Sequence, residues 1–546
     1  MFDKWLKLPA HYYLRITALV ILTVGICLHN TLMSIGAIWI VANWLIEADF
    51  KYYWKKLKTT PTIWMLLGIL FFGLISLLWS DDVNYGLWDI FRKLPFFAIP
   101  FALGLGKPVE QKIVNFLLYI FIGILLLTSG INFYRYHYVL DNPADIRQMS
   151  FFISPVRFSV LVAFGVFVCV YLILKKKGPW QLWVLIIPWL IFYTFKAQML
   201  NGYLLLVVLT CYTTVYLVRK NSSLAWKWVI SSTFVFAIIF GAYKTNQLLN
   251  TFKQEIDFEL EDLEWYTASG NQYFHDLTNT SQENGHLIWI YVQQEEVKEQ
   301  WEKRSDIPYH GTDNAGQPMY GTILRYMTSK GIRKDSAGVW SLSDEEINKI
   351  ENGMTSVSTG YRAKIHEILH QWLWYQEGGD PNGHSLLQRA EHMRVAWSLI
   401  KKNPILGVGM GDVPMAFENE YRESQTKLHE EHWHRSHNQF LTFWISHGIL
   451  GLLMLLGMLF IPLFRRKQID YLHMVVFLTL FVSLFFQDML ETQAGVTIFG
   501  LLYGLTVYKQ DEDDDLDEIG EKAWRKRFKI GTQSLSSDNN ASSEEE

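Results

Sequence analysis

Uninterrupted apolar stretches of about 17–25 residues recur along this chain, the length a helix needs to cross a hydrocarbon core of ~30 Å. In that solvent a segment must satisfy its backbone amides internally, so the expected fold class is all-α and polytopic. Twelve stretches are expected to span: 13–29, 31–47, 62–79, 88–106, 113–133, 155–174, 180–195, 200–218, 226–243, 440–463, 471–487 and 491–508. The pattern excludes a soluble enzyme, a disordered chain and a disulfide-rich secreted module. A net charge of -4 gives no support to a nucleic-acid partner. Cys27, Cys169 and Cys211 all lie inside apolar blocks, so neither a disulfide nor a thiolate metal site is expected. The N-terminal apolar run lacks a small-residue cleavage site and a second span follows at once, which reads as a first membrane helix.

Basic residues orient the spans. Lys51, Lys55, Lys56 and Lys58, then Lys175, Lys176 and Lys177, then Arg219 and Lys220, then Arg465, Arg466 and Lys467 fall in connections on one side of a twelve-span chain. The opposite short connections, 29–31 and 80–86, contain no Lys or Arg. Both termini are therefore expected in the cytoplasm. The expected domains are 1–243 with nine spans, 244–439 as one outward domain, 440–508 with three spans, and 509–546 as a charged tail. The outward domain reads as mainly helical, over Glu255–Trp265, Leu287–Lys303, Ser343–Glu351, Tyr361–Tyr375 and Leu386–Lys402. Ser343 with Glu346 forms a capping-box pattern. Trp265, Trp289, Trp301, Trp340, Trp372 and Trp374 are its candidate core. The tail has too few apolar residues to fold alone and reads as solvated, with Trp524–Lys529 as a weak membrane-surface contact.

His429, His432, His434 and His437 crowd one short segment. Neutral imidazoles bind zinc or copper, yet no cysteine completes a common zinc pattern, so no metal site is expected. His437, with Asn438 at the mouth of the tenth span, could take a proton from a hydroxyl near neutral pH; the plainer reading is an interfacial histidine bonded to backbone. His366-Glu367-Ile368-Leu369-His370 has the HExxH spacing of zinc proteases, but Lys364 is out of place there and a surface helix accounts for it. The glycines of Lys402–Gly411 follow a helix and Asn-Pro rather than a strand, so they read as a tight turn and not a phosphate loop. Arg389, Arg394 and Arg157 lie near the outward face, where guanidinium groups grip phosphates, anchor to headgroups, or pair with carboxylates.

The runs QRAEHMRVAWSLIKKNPILGVGMGD and RSHNQFLTFWISHGILGLL resemble the signature of bacterial O-antigen ligases and related polymerases, and the outward insert is similar to their large-loop branch from Bacteroidota. Arg389 falls on the family arginine, Met393 on the aromatic position, Pro404 on the proline, His437-Asn438 on the His-Asn pair, and Gly448 and Gly451 on the glycines. The resemblance implies a glycosyltransferase that moves a glycan from undecaprenyl pyrophosphate to a lipid A-core acceptor at the periplasmic face of the bacterial inner membrane. Its close alternatives are a surface-polysaccharide polymerase and a protein O-oligosaccharyltransferase; a transporter or assembly scaffold is the non-enzymatic rival. It implies His437 and Arg389 as catalytic residues. Arg157, Lys196, Gln198, Arg394, Arg435 and Asn438 are the expected substrate-binding residues, with no metal or cofactor and with inversion at the anomeric carbon. A second family arginine is missing: Gln198 stands at its position, and Lys196 or Arg157 is the candidate replacement.

Overall fold

The computed structural model describes residues 2–140, 146–220, 223–253, 263–279, 281–314, 316–357, 368–369, 371–372, 375–376, 378–382, 385–465 and 469–510. His366, Glu367 and His370 of the HExxH segment, most of the expected 255–265 and 361–375 helices, Arg466, Lys467 and the tail from 511 lie outside them.

Every expected span contains helix, but not always one of full length. Seven helices are long and apolar enough to cross a bilayer, or eight if Asn30–Glu47 and Phe50–Thr59, which meet at 111°, form one bent span. Pro61–Ser76, Leu94–Leu105, Tyr471–Phe486 and Gln493–Val507 are apolar but shorter. By length and composition the helices do not reach the expected count of twelve spans: at 1.5 Å per residue a helix of 15 or 16 residues extends about 23–24 Å. Charged and ring residues set the cuts. The expected 88–106 span breaks at Lys93, ahead of Pro95, which has no amide to donate. Asp488 and Glu491 occupy the connection between the last two short helices.

Pro155–Leu174 is the central helix. Every residue from Phe158 to Cys169 is buried, which suits a helix hydrophobic on all sides. It packs against Gln111–Tyr134, Trp180–Ala197, Leu200–Lys220 and Tyr471–Phe486. Contacts join the connections in two sets. In one, Thr62 meets the Tyr508 hydroxyl at 2.9 Å, Lys509 meets Gln111 at 2.9 Å, and Arg465 donates to the Thr59 carbonyl. In the other, Gln493 donates to the Asn30 carbonyl, the Asp412 carboxylate accepts the amides of Asp81 and Asp82, and Asp488 accepts the amide of His437.

The polar region between 263 and 438 has two cores. One is built by Val297, Trp301, Ile323, Met327, Val339, Ile347 and neighbours. The other joins Val395, Leu399, Phe417 and Tyr421 to Ile445 of the Gln439–Arg465 helix, so the segment after 385 is welded onto an apolar helix. The capping box is present: Ser343 accepts the Glu346 amide and Glu346 accepts the Ser343 amide. The expected Leu287–Lys303 helix is corrected to Gln294–Trp301, preceded by a hairpin pairing Gln282–Glu283 with His286–Leu287. Asn284 and Gly285 both have positive φ (52° and 84°), as a two-residue turn that follows strand twist requires. Among the tryptophans proposed as core, Trp301 is fully buried, whereas Trp265, Trp340 and Trp372 are exposed.

Candidate functional site

The Asn-Pro-glycine run performs the turn its sequence implies, and it fixes two helices at once. Gly448 breaks the Gln439–Arg465 helix with φ 65° and ψ -171°. An unbroken helix would bond the Ile449 amide to the Ile445 carbonyl. Here Ile449 donates to Pro404 at 3.2 Å, and the Ile445 carbonyl accepts Val408 at 2.7 Å. The bond lost between Ile449 and Ile445 is thus replaced by two bonds to the inserted turn. A β-carbon at Gly448 would lie 1.9 Å from the Ile405 oxygen, so the close approach requires glycine. Further along, Met410 and Gly411 donate to the hydroxyls of Ser76 and Ser80.

The same break keeps the start of the helix, and His437 before it, in a fixed place. His437 has φ 52°, a left-handed conformation uncommon outside glycine and asparagine. Its amide donates to Asp488 Oδ2 at 2.8 Å, while Asp488 Oδ1 accepts the Thr442 hydroxyl at 2.6 Å. Asn438 Oδ1 accepts the amides of Phe440 and Leu441, the geometry of a helix cap, so its side-chain oxygen is turned into the fold. Ser436 bridges the Asn438 carbonyl and the Thr442 hydroxyl.

Facing this loop is the Ser385–Lys402 helix. Arg389 and His392 are three residues apart and share a face. The His392 ring lies 5.1 Å from that of His437 and 5.8 Å from that of His434, centre to centre. The His434 carbonyl in turn accepts the Tyr421 hydroxyl at 2.7 Å. Arg389 is half-buried and, among the described residues, has no carboxylate partner; its charged neighbour is Arg147. Burial, then proximity to His392, Arg389 and His434, holds His437 down at about 3. Burial likewise holds His392 at about 4. Both imidazoles are therefore neutral at pH 7 and can accept a hydrogen bond or a proton. Burial raises Asp488 to about 6, so at pH 7 it is ionised and accepts two donors. Among the described residues no group of three or more His, Cys, Asp or Glu could hold a metal ion.

The other expected site residues are dispersed. Arg435 donates to Glu491 and to the Tyr85 hydroxyl. Glu491 also meets Lys93 at 2.9 Å, Arg92 at 3.5 Å and Gln439 at 3.0 Å, and Lys93 meets Asp89 at 2.7 Å. Arg394 pairs with Glu391 at 2.7 Å. Arg157 lines a cavity of about 430 Å³ with His29, Ser150, Phe152 and Gln493, and its buried Nε has no partner. Lys196 is exposed and lies 5.9 Å above the Phe192 ring. Gln198, at φ 52°, makes the left-handed turn into the next helix. His429 and His432 sit by Glu431, apart from the His437 ring contacts. His392 and Asp488 were not read from the sequence. The i, i+3 spacing from Arg389 carried the signal for His392; Asp488 is 51 residues from its partner and carried none.

A comparison with curated proteins returns no match. The family model described as O-antigen ligase, Wzy_C, matches residues 336–456, a segment that includes Arg389, His392, the Pro404 turn, His437 and Gly448. Over that segment the chain is similar to the O-antigen ligase and polymerase superfamily, which supports a function of ligase or polymerase type.

Proposed function

We propose that the protein is a glycosyltransferase of the bacterial inner membrane that moves a glycan from undecaprenyl pyrophosphate to lipid A core. In this reading both termini are cytoplasmic and the His437 cluster opens to the periplasm. The observation that carries it is a neutral imidazole, His437, held beside Arg389, an arginine without a carboxylate partner among the described residues, inside the segment that matches the ligase model.

The chemistry follows from those two groups. An acceptor hydroxyl attacks the anomeric carbon from the face opposite the diphosphate, so the configuration inverts. The hydroxyl proton passes to His437 as the new C–O bond forms. The old C–O bond breaks toward the diphosphate, whose growing charge Arg389 stabilises; an oriented guanidinium here supplies counter-charge without a divalent ion. Bringing the anion in also raises the proton affinity of His437, so the base strengthens when the donor is present. A positioned base contributes about 10²–10⁴ in rate.

The test uses a deletion strain complemented with wild type or His437→Ala, with lipopolysaccharide gels and undecaprenyl-linked glycan measured in the same cells. The expected result for the variant, at normal protein level, is bare lipid A core with long polymer retained on the lipid carrier. Core capped by a single repeat with no long polymer would assign polymerisation instead. Loss of glycan from protein alone would assign protein O-glycosylation. An unchanged glycan profile would remove the enzymatic reading.

A further inference from the structure

His392 is 1% exposed, and its two ring nitrogens have different surroundings. Nε2 lies 3.0 Å from the His432 carbonyl oxygen. A carbonyl can only accept, so Nε2 carries the hydrogen and Nδ1 of the neutral ring is an acceptor. That Nδ1 is buried and has no hydrogen-bond partner among the described residues. An acceptor stripped of water and left unmet is costly, and such groups are rare in folded proteins. The groups beside it are few. Tyr421 faces the ring edge-on at 6.3 Å, but its hydroxyl is already given to the His434 carbonyl. Glu391 is committed to Arg394, Tyr375 and Thr426. Two rings are left: His434 at 5.8 Å, and His437, the nearer, at 5.1 Å and tilted by 48°. At that separation a rotation of one imidazole brings ring nitrogens into hydrogen-bond reach, and such contacts commonly tighten only when substrate is bound.

We propose that His392 is a positioning residue for His437: its Nδ1 accepts the ring N–H of His437 while the opposite nitrogen of His437 takes the proton of the attacking hydroxyl. The inference rests on the transferase reading above. In balance, the hydroxyl O–H breaks as the glycosidic C–O forms, the proton stays on His437, and the imidazolium shares its second N–H with His392. The carbonyl of His432 anchors the far side of the relay. This fixes the His437 tautomer and offsets the unfavourable positive surroundings of the imidazolium, without a carboxylate that would repel an anionic donor.

Two substitutions separate this role from a structural one. His392→Asn keeps an acceptor at the position of Nδ1 and gives up the reach to His432. His392→Gln keeps a donor toward His432 and removes the acceptor. Transfer is measured with purified full-length protein, lipid-linked glycan and isolated lipid A core, with wild type and His437→Ala alongside and thermal melting of each variant. The expectation is that His392→Gln lowers kcat by about 10–100-fold with acceptor KM changed less than about threefold, whereas His392→Asn recovers most of the rate. Wild-type rates in His392→Gln, or equal losses in both variants, would overturn the relay alone. So would a loss confined to acceptor KM. Absence of transfer by wild type would instead overturn the transferase function, and the relay with it.

Discussion

Two polar clusters, around Glu491 and around His437, are built on opposite principles. Around Glu491 every charge is met: Lys93, Arg92 and Arg435 converge on one carboxylate, Asp89 takes a second bond from Lys93, and Gln439 closes the set. Around His437 the imidazoles are neutral and Arg389 has no carboxylate among the described residues. A charge removed from water is stable only if paired, so the first cluster is a finished structural hub. The second leaves Arg389 without a counter-charge and two neutral imidazoles able to take a proton, which a diphosphate sugar donor and a hydroxylated acceptor bring. Only Ser436 separates Arg435, on the hub, from His437, so the hub fixes the loop on which the incomplete cluster depends.

That contrast is broken most severely through the hub. Glu491→Gln leaves Arg435 without a counter-charge and leaves Lys93 and Arg92 to share Asp89, and should cost about 3–5 kcal/mol of stability. The measure is folded yield and melting in detergent. If the variant melts like wild type, the hub is not structural. Arg389→Gln should do the opposite. With no pair to lose, it should keep or slightly raise the melting temperature while lowering transfer by about 10–100-fold, the worth of a charge-assisted phosphate contact. A large drop in melting would show that Arg389 is paired in the fold and would end the comparison.

Gly448→Ala tests the frame that holds both clusters. The new β-carbon meets the Ile405 oxygen at 1.9 Å and the residue stays at φ 65°, so the turn must withdraw from the helix break. A loss of about 1–3 kcal/mol is expected, with transfer falling further than stability because Pro404 and Val408 no longer hold the helix start. Circular dichroism should be unchanged, since the alternative for this segment is an unbroken helix.

Much of this frame was legible before any coordinates. Apolar blocks long enough for a bilayer gave helices close to their expected bounds, because the backbone in an apolar solvent has few other options. Ser343 and Glu346 formed their capping box, and the glycines after Pro404 formed a turn. The break at Lys93 had a local signal in Pro95, but that at Gly448 was not legible, since it depends on a partner distant in sequence, the Pro404 carbonyl. The same is true of Arg435. Read alone it is a free cation near a membrane face; in the fold its charge is spent on Glu491. The Asn284-Gly285 hairpin did carry a local signal, and helical spacing in the residues after it obscured it.

The smallest expected effect concerns pH and separates the clusters by what titrates. Between pH 7 and 5 Asp488, raised by burial to about 6, changes state, whereas His437, lowered to about 3, does not. Protonation removes a charged acceptor from the His437 amide and the Thr442 hydroxyl, loosening the loop. The donor kcat/KM, which reports free-enzyme groups, should fall as pH drops through about 6. This loss is not unfolding. A carboxyl whose folded pKa is raised above its unfolded value binds more protons folded than unfolded across the interval from about 3.8 to about 6, so its contribution to stability increases as pH falls. Asp488→Asn should give a lower but flat profile over that range. An acid limb that survives in Asp488→Asn would mean that His437 itself titrates there, and that the positive surroundings inferred for it are already neutralised before any donor binds.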